Sequence, residues 1–466
     1  MNKYSKLIKN SGIFAIANMG SSIVSFILVR FYTELLSTEQ YGTIDFLTTL
    51  SSMLIPFITL AIVEAVLRFG IDNEDKISVL SNGLLVGIIG NLVAFFIIPL
   101  IVGRTAYSSY AYWIVCLILS TSLDNIAAQF VRGIGKVQTF AVCGILKTFV
   151  LVSCNIFLLA GLKMKVEGYL LSMIVSEIVS FFFLFIKVKL WKYISFRPNR
   201  EILKEMIIYS LPLMPSSLAW WVMNASDKYM LIAFIGIQAN GLYAVAHKLP
   251  TLINLCNSLF FQAWQLSAVE ESDSNSKQTF YTNVFNTLAM VLLIVCSVLL
   301  LIMKPLMHVL VSSDYGEAWK LTPFLVISMV FSAFSSFIGT NYTVTKKTGG
   351  ALKTTIIGAL VNVVLNYFLI KAWGINGAAL ATMVSFFVMW IVRAIDTREF
   401  IKIKYQYTKM VISLVAIFVQ AFVIAVGSTY VFMVGLICLV IVIISYNKDV
   451  MTIINEIIKV LRRRLR

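Results

Sequence analysis

A small set of ionisable residues lies inside stretches that are otherwise apolar. Asp227 and Lys228 stand near the start of MNASDKYMLIAFIGIQANGLYAVAHKLP (residues 223–250), and His247 and Lys248 near its end. Arg30 and Asp45 have similar surroundings near the N-terminus, and Asp124, Lys147 and Glu177 follow in later apolar runs. A charge at bilayer depth is costly unless paired or hydrated, so each is a functional candidate. Cations there attract phosphate groups or acidic sugars. Opposite charges can pair and latch a gate. An isolated buried acid can take up and release a proton or a sodium ion. Each also has a plainer explanation. Arg30 and Lys228 can reach an interface with their long stems, Asp227 can pair locally, and Asp124 with Lys147 can be a static bridge.

Covalent catalysis finds no carrier in the sequence. The six cysteines stand singly in apolar runs with no CxxC spacing, so packing is expected of them rather than metal or disulfide chemistry. No GxxxxGK[ST] loop is present, which argues against ATP hydrolysis. No catalytic residue, metal or cofactor is expected.

The elements that position these groups follow from composition. Of 466 residues, 59% are hydrophobic and only 13% charged, against about 25% charged in soluble domains. Apolar runs of about 20 residues recur along the chain, each long enough to cross a bilayer as a helix. An all-α polytopic membrane protein is expected, with about fourteen transmembrane helices over 10–33, 41–66, 77–101, 110–131, 138–161, 168–187, 206–235, 241–266, 281–303, 320–343, 352–371, 376–396, 409–426 and 429–446. The opening MNKYSKLIKN is short and basic, and the run after it is long enough to stay as a span, so no cleaved signal is expected.

Charge orients the chain. With both termini in the cytoplasm, most of the 38 Lys and Arg residues fall on the inner side, and the outer loops keep Arg104, Lys163, Lys165, Lys304, Lys320 and Lys371. That asymmetry is the positive-inside pattern. The net charge of +16 therefore faces anionic membrane lipids, and no nucleic-acid partner is expected. The tail MTIINEIIKVLRRRLR sets Ile453, Ile454, Ile457, Ile458 and Leu461 at helical spacing among arginines, as an interfacial helix does.

In this topology the spans at 206–235 and 241–266 form an outer hairpin, with Asp227, Lys228, His247 and Lys248 roughly 10 Å inside it. Arg30 and Asp45 flank the matching hairpin of the first two spans. Asp124 and Lys147 reach equal depth on antiparallel neighbours, and Glu177 is near the midplane. Glu64 and Arg68 read as an i,i+4 pair at the inner end of the second span. Trp220 and Trp221 are candidates to stack on sugar rings, although packing is the commoner use. Pro56, Pro212, Pro215 and Pro250 are expected to kink helices.

A weak internal repeat of about 200 residues sets LSTEQYGTIDF against IGIQANGLYAV, pairing Gly42 with Gly241. CNIFLL (154–159) likewise matches LNYFLI (365–370), and EGYLLSMIVS (167–176) matches NGAALATMVS (376–385). An even number of spans per copy makes the repeat parallel. The expected organisation is an N-terminal six-helix lobe over 1–200, a C-terminal six-helix lobe over 201–400, and two helices with a basic tail over 401–466. Two such lobes with a cleft between them suit alternating access.

The stretch DKYMLIAFIGIQANGLYAVAHKLP, continuing to FFQAW (260–264), resembles the Wzx-type polysaccharide flippases of the multidrug/oligosaccharidyl-lipid/polysaccharide exporter superfamily. The resemblance rests on Asp227-Lys228, Gly241-Leu242-Tyr243 and Ala263-Trp264, and on the fourteen-span, MATE-like layout. It implies a flippase that carries undecaprenyl-diphosphate-linked oligosaccharide repeat units across the bacterial cytoplasmic (inner) membrane, for O-antigen, capsule or exopolysaccharide synthesis. The partners are then a polyprenyl-diphosphate-linked oligosaccharide, H+ or Na+ as a coupling ion, and polysaccharide polymerase machinery. The alternative is a MATE-type cation or drug antiporter. Some of those place an acid in the first span; here that span carries Arg30, which suits an anionic substrate. A membrane glycosyltransferase would need large outer loops, whereas the longest here covers only 304–319.

Overall fold

The computed structural model describes residues 26–195, 199–270, 277–345 and 347–451. Among them there are helices and no strands. Nine helices among the described residues are long and apolar enough to cross a membrane, or ten if the bent pair Arg200–Leu213 and Ser217–Phe234 is one span. In chain order the helices are α1 (26–35), α2 (Thr38–Ile58), α3 (Ile62–Asp72), α4 (Lys76–Val102), α5 (Ala111–Gly133), α6 (Val137–Asn155), α7 (Lys165–Val188) and α8 (Arg200–Ser210). Then come α9 (Met214–Phe234), α10 (Ile237–Ala246), α11 (Pro250–Glu270), α12 (Lys277–Leu310), α13 (Ala318–Val344), α14 (Thr348–Asp396), α15 (Tyr407–Val426) and α16 (Val431–Ser445). The first span upstream of residue 26, Arg197, Lys346 and the basic tail from 452 lie outside the described residues.

Length and apolarity alone do not reach fourteen spans, for local reasons. The expected 41–66 breaks into α2 and α3. Pro56 inside α2 is followed by Leu60 and Ala61 at φ +51° and +50°, a left-handed pair that ends one helix and starts the next. The expected 241–266 breaks between α10 and α11 before Pro250. The expected 352–371 and 376–396 run together in α14, but Gly374 (φ +59°, ψ −135°) is non-helical. A Cβ at Gly377 would overlap the carbonyl of Leu369, and Arg393 bonds Thr354, so the two halves fold back as a hairpin.

The chain divides into two compact units. The first comprises Met1–Tyr229 and Ile237–Gly241. Its core gathers Ile62, Val66, Leu80, Ile126, Phe130, Leu184 and Met206, all buried, from α3, α4, α5, α7 and α8. Small residues bring backbones together there, with Gly70 and Gly133 so close that a Cβ on Gly133 would lie 3.1 Å from the Gly70 Cα. In lipid, helices associate through such close packing rather than through exclusion of water.

The second unit comprises Met230–Gly236 and Leu242–Arg466. Its interior is aromatic. Trp264 stacks on Phe337 with centroids 4.3 Å apart, and Phe331 stacks on Trp390 at 5.9 Å. Gln420 on α15 accepts from the Ser297 hydroxyl on α12 at 3.0 Å and donates back to the Ser297 carbonyl at 3.0 Å. A buried amide satisfied in this way fixes the register of the two helices.

Candidate functional site

The first cluster is built on α2. Ser37 caps it in a capping box with Gln40, which sets the helix start. The spacing from that start puts Thr38, Gly42, Asp45 and Thr49 along one face. Asp45 accepts from the Lys228 ammonium at 2.9 Å through Oδ1 and from the Asn240 amide at 3.2 Å through Oδ2. Lys228 also reaches the Thr49 hydroxyl at 3.3 Å, and Trp221, two turns earlier on α9, donates to the Thr49 carbonyl at 3.4 Å. The ring of Trp221 meets that of Tyr229 edge-on at 5.1 Å, and Tyr229 meets Phe46 at 5.3 Å. The side chains of Lys228 and Asp45 are 15% and 18% exposed, so the pair is largely desolvated yet reachable.

Glycine makes this approach feasible. A Cβ on Gly42 would overlap the carbonyl of Ile237, and a Cβ on Gly241 would overlap that of Thr38. Thr38 precedes Gly42 by one helical turn, as Ile237 precedes Gly241. The contact is thus self-complementary between the two glycines that the internal repeat pairs. Asn240 seals it by donating to the Gly42 carbonyl at 2.9 Å.

The second cluster sits on α5, α6 and α7. Lys147 lies 3.0 Å from Asp124 Oδ2 and also pairs with Glu177 Oε2. The other Asp124 oxygen accepts from the Ser180 hydroxyl at 2.6 Å, which in turn lies 3.0 Å from Cys143 Sγ. Asp124 and Glu177 are 3% and 6% exposed. Neither acid is isolated, contrary to the expectation for a lone exchanging carboxyl; one ammonium serves both. Removing one partner of such a buried network leaves an uncompensated charge.

Arg30 pairs with Glu34 on its own helix at 2.6 Å, both being well exposed. Asp227 is buried, and its Oδ1 accepts the Lys228 backbone N–H at 2.9 Å. His247 lies edge-on to Tyr243 at 4.6 Å, and Lys248 is half-buried. Arg68 bonds Asp72 at 2.8 Å rather than Glu64. Glu64 falls in the first turn of α3, after the left-handed break, where the helix N-terminus already favours an acid.

Sequence reasoning missed several participants. Glu34 was legible as an i,i+4 partner of Arg30. Thr49 is one turn from Asp45, and Asn240 adjoins the repeat glycine. Arg393 had been assigned to the inner connecting segment, but it is 4% exposed. It donates to the Ser335 carbonyl at 3.0 Å, to Thr354 at 3.1 Å and to Thr355 at 2.9 Å. Gly339 makes room for this guanidinium, since a Cβ there would meet Nη1 at 2.8 Å. Among the described residues no group of three or more His, Cys, Asp and Glu could hold a metal ion. An apolar groove of about 770 Å³ runs along α2 and α4, lined by Leu54, Phe57, Ile89, Val93, Ile97 and Ile101 among others.

Known proteins place this geometry in context. Residues 7–265 match the family described as polysaccharide biosynthesis protein. The probable low-salt glycan biosynthesis flippase Agl15 of Haloferax volcanii is 23% identical over 411 residues, covering 85% of this chain and 84% of that protein. The fold is similar to that of the lipid II flippase MurJ in an inward closed conformation, with TM-score 0.69, 14% identity, and coverage of 94% of this chain and 99% of that one. It is also similar to an inward-facing multidrug resistance MATE family transporter of the MOP superfamily, with TM-score 0.67, 15% identity, and coverage of 83% and 97%. With more than half of its length matched, the chain belongs to the polysaccharide biosynthesis protein family, and its fold is like that of these two transporters.

Proposed function

We propose that this protein is a flippase that moves a lipid-linked glycan across the membrane by alternating access, without covalent chemistry. The finer reading is an undecaprenyl-diphosphate-linked oligosaccharide in the bacterial cytoplasmic membrane, with both termini inside. Membership of a polysaccharide biosynthesis family and likeness to a glycan biosynthesis flippase support the substrate class. The observation that carries the headgroup reading is Lys228, a sheltered cation whose ammonium is held by Asp45 and the Thr49 hydroxyl, contacts that a diphosphate can replace. Asp45 then keeps Lys228 neutralised until the headgroup arrives. Phosphate oxygens are strong acceptors for such an ammonium.

The Asp124–Lys147–Glu177 cluster is the proposed coupling site. A proton suits it better than sodium, because its geometry offers an ammonium between carboxyls rather than a cage of oxygens. On the outer leaflet, polysaccharide polymerase machinery is the expected consumer of the product.

The test is reconstitution of the full chain in liposomes with a polyprenyl-diphosphate oligosaccharide, with and without a pH gradient. The headgroup is expected to become accessible on the far leaflet faster than in protein-free vesicles. No acceleration under either condition refutes the proposal. The shared MATE fold keeps cation efflux as the rival reading; drug extrusion by the same liposomes, with no glycan movement, would favour it.

A further inference from the structure

We propose that the second unit carries a binding site for the phosphate of an anionic membrane lipid, in a cavity between the start of α12 and the segment leading to α15. The cavity has a volume of about 350 Å³ and is lined by Lys277, Arg398 and Lys402 with Glu399, Phe400 and Ile401. Positive charge thus outweighs negative at its walls. Lys277, Arg398 and Lys402 make no ion pair among the described residues. A fourth cation, Lys347, lies over the Phe400 ring at 4.1 Å.

The walls are held in place by hydrogen bonds. Thr397 donates to the Arg393 carbonyl at 2.9 Å where α14 ends. Further on, the Lys404 N–H donates to Thr282 at 3.2 Å, and Asn286 donates to the Lys404 carbonyl at 3.1 Å. The Gln406 N–H donates to the Asn286 side chain at 3.3 Å. The connector is thereby latched to α12, and the cations are presented together rather than on a free loop.

A lipid is the source favoured over a soluble phosphate. The cavity lies where α12 begins at Lys277, α14 ends at Asp396 and the connector to α15 carries Arg398, Lys402 and Lys404, the side that the positive-inside pattern assigns to the inner leaflet. Phe400 and Ile401 add apolar surface to a mostly polar lining, as suits the first methylenes of an acyl chain beside a headgroup. The inference is independent of which substrate the protein moves.

The experiment is a thermal-shift titration of the full chain in detergent with phosphatidylglycerol, with phosphatidylcholine, and with inorganic phosphate. Phosphatidylglycerol is expected to raise the melting midpoint at concentrations where the other two do not. Each neutralisation among Lys277→Gln, Arg398→Gln and Lys402→Gln is expected to weaken the apparent affinity about fivefold, and the triple variant roughly a hundredfold. The singles carry the test if the triple fails to fold. Lys187→Gln/Lys189→Gln, basic but outside the cavity, is expected to bind as the wild type does. Less than about twofold weakening in every single variant would overturn the site, and an equal midpoint rise with inorganic phosphate would overturn the lipid as its source.

Discussion

At the scale of single residues, Lys228 and Lys147 carry the sharpest consequences. If Asp45 holds Lys228 for a diphosphate, the two partners have opposite effects on substrate binding. Lys228→Gln is expected to weaken headgroup binding about tenfold or more, the worth of one charged hydrogen bond. Asp45→Asn frees the ammonium and is expected to tighten binding. Isothermal titration with a soluble diphosphate-sugar analogue checks both; unchanged affinity in both variants would leave the pair a gate latch only. Lys147 differs because two buried carboxyl groups depend on it. Lys147→Met is expected to destabilise the protein by about 3–5 kcal/mol. Adding Glu177→Gln should recover part of that loss, because it removes one of the uncompensated acids. Melting midpoints of the single and double variants decide the matter, and additive losses would contradict it.

At the scale of elements, helix crossings and breaks set the geometry, and glycine substitutions report on them with opposite signs. Gly241→Ala puts a methyl against the Thr38 carbonyl, so it should cost about 1–3 kcal/mol and loosen the Asn240 contact with Gly42. Gly144→Ala lies on α6 with nothing within 4 Å, and should gain about 0.5–1 kcal/mol from helix propensity. Thermal melts of the two variants should therefore move in opposite directions. The break between α2 and α3 offers a third case. Ala61 at φ +50° is strained, so Ala61→Gly should raise the midpoint, by about 1 kcal/mol equivalent. A fall would mean that the break is held by its neighbours at no local cost.

At the scale of the whole molecule, coupling is the issue. If the Asp124–Lys147–Glu177 cluster exchanges the driving proton, Glu177→Gln should abolish the response of glycan movement to a pH gradient while leaving headgroup binding intact. Fluorescent-headgroup accessibility in liposomes, read with and without the gradient, checks this. A variant that still responds fully would move the coupling site elsewhere. Arg393 is expected to matter differently. It ties α13 to both arms of α14, so its loss should unfold the second unit rather than uncouple transport.

The sequence by itself determined that this is a helical membrane protein. Lipid cannot satisfy a bare backbone, so apolar length translates directly into helices. It also located the charged candidates and paired Gly42 with Gly241. The folding back of α14 at Gly374 was legible as two spans separated by a short gap. The Asp124–Lys147 pair was legible from equal depth on antiparallel neighbours; the other pairings were not, because a partner across space leaves no fixed spacing in the chain. Asp45 was placed at a hairpin with no partner named, and it bonds Lys228, 183 residues away, while Arg30 closes on Glu34. Glu177 was placed near the midplane with no partner named, and it shares Lys147 with Asp124. Arg393 looked like an interfacial residue because polar residues from Asp396 to Glu399 follow it closely. Only the tertiary structure decided these pairings, because a charge withdrawn from water settles on whatever donors and acceptors the helix packing brings within reach.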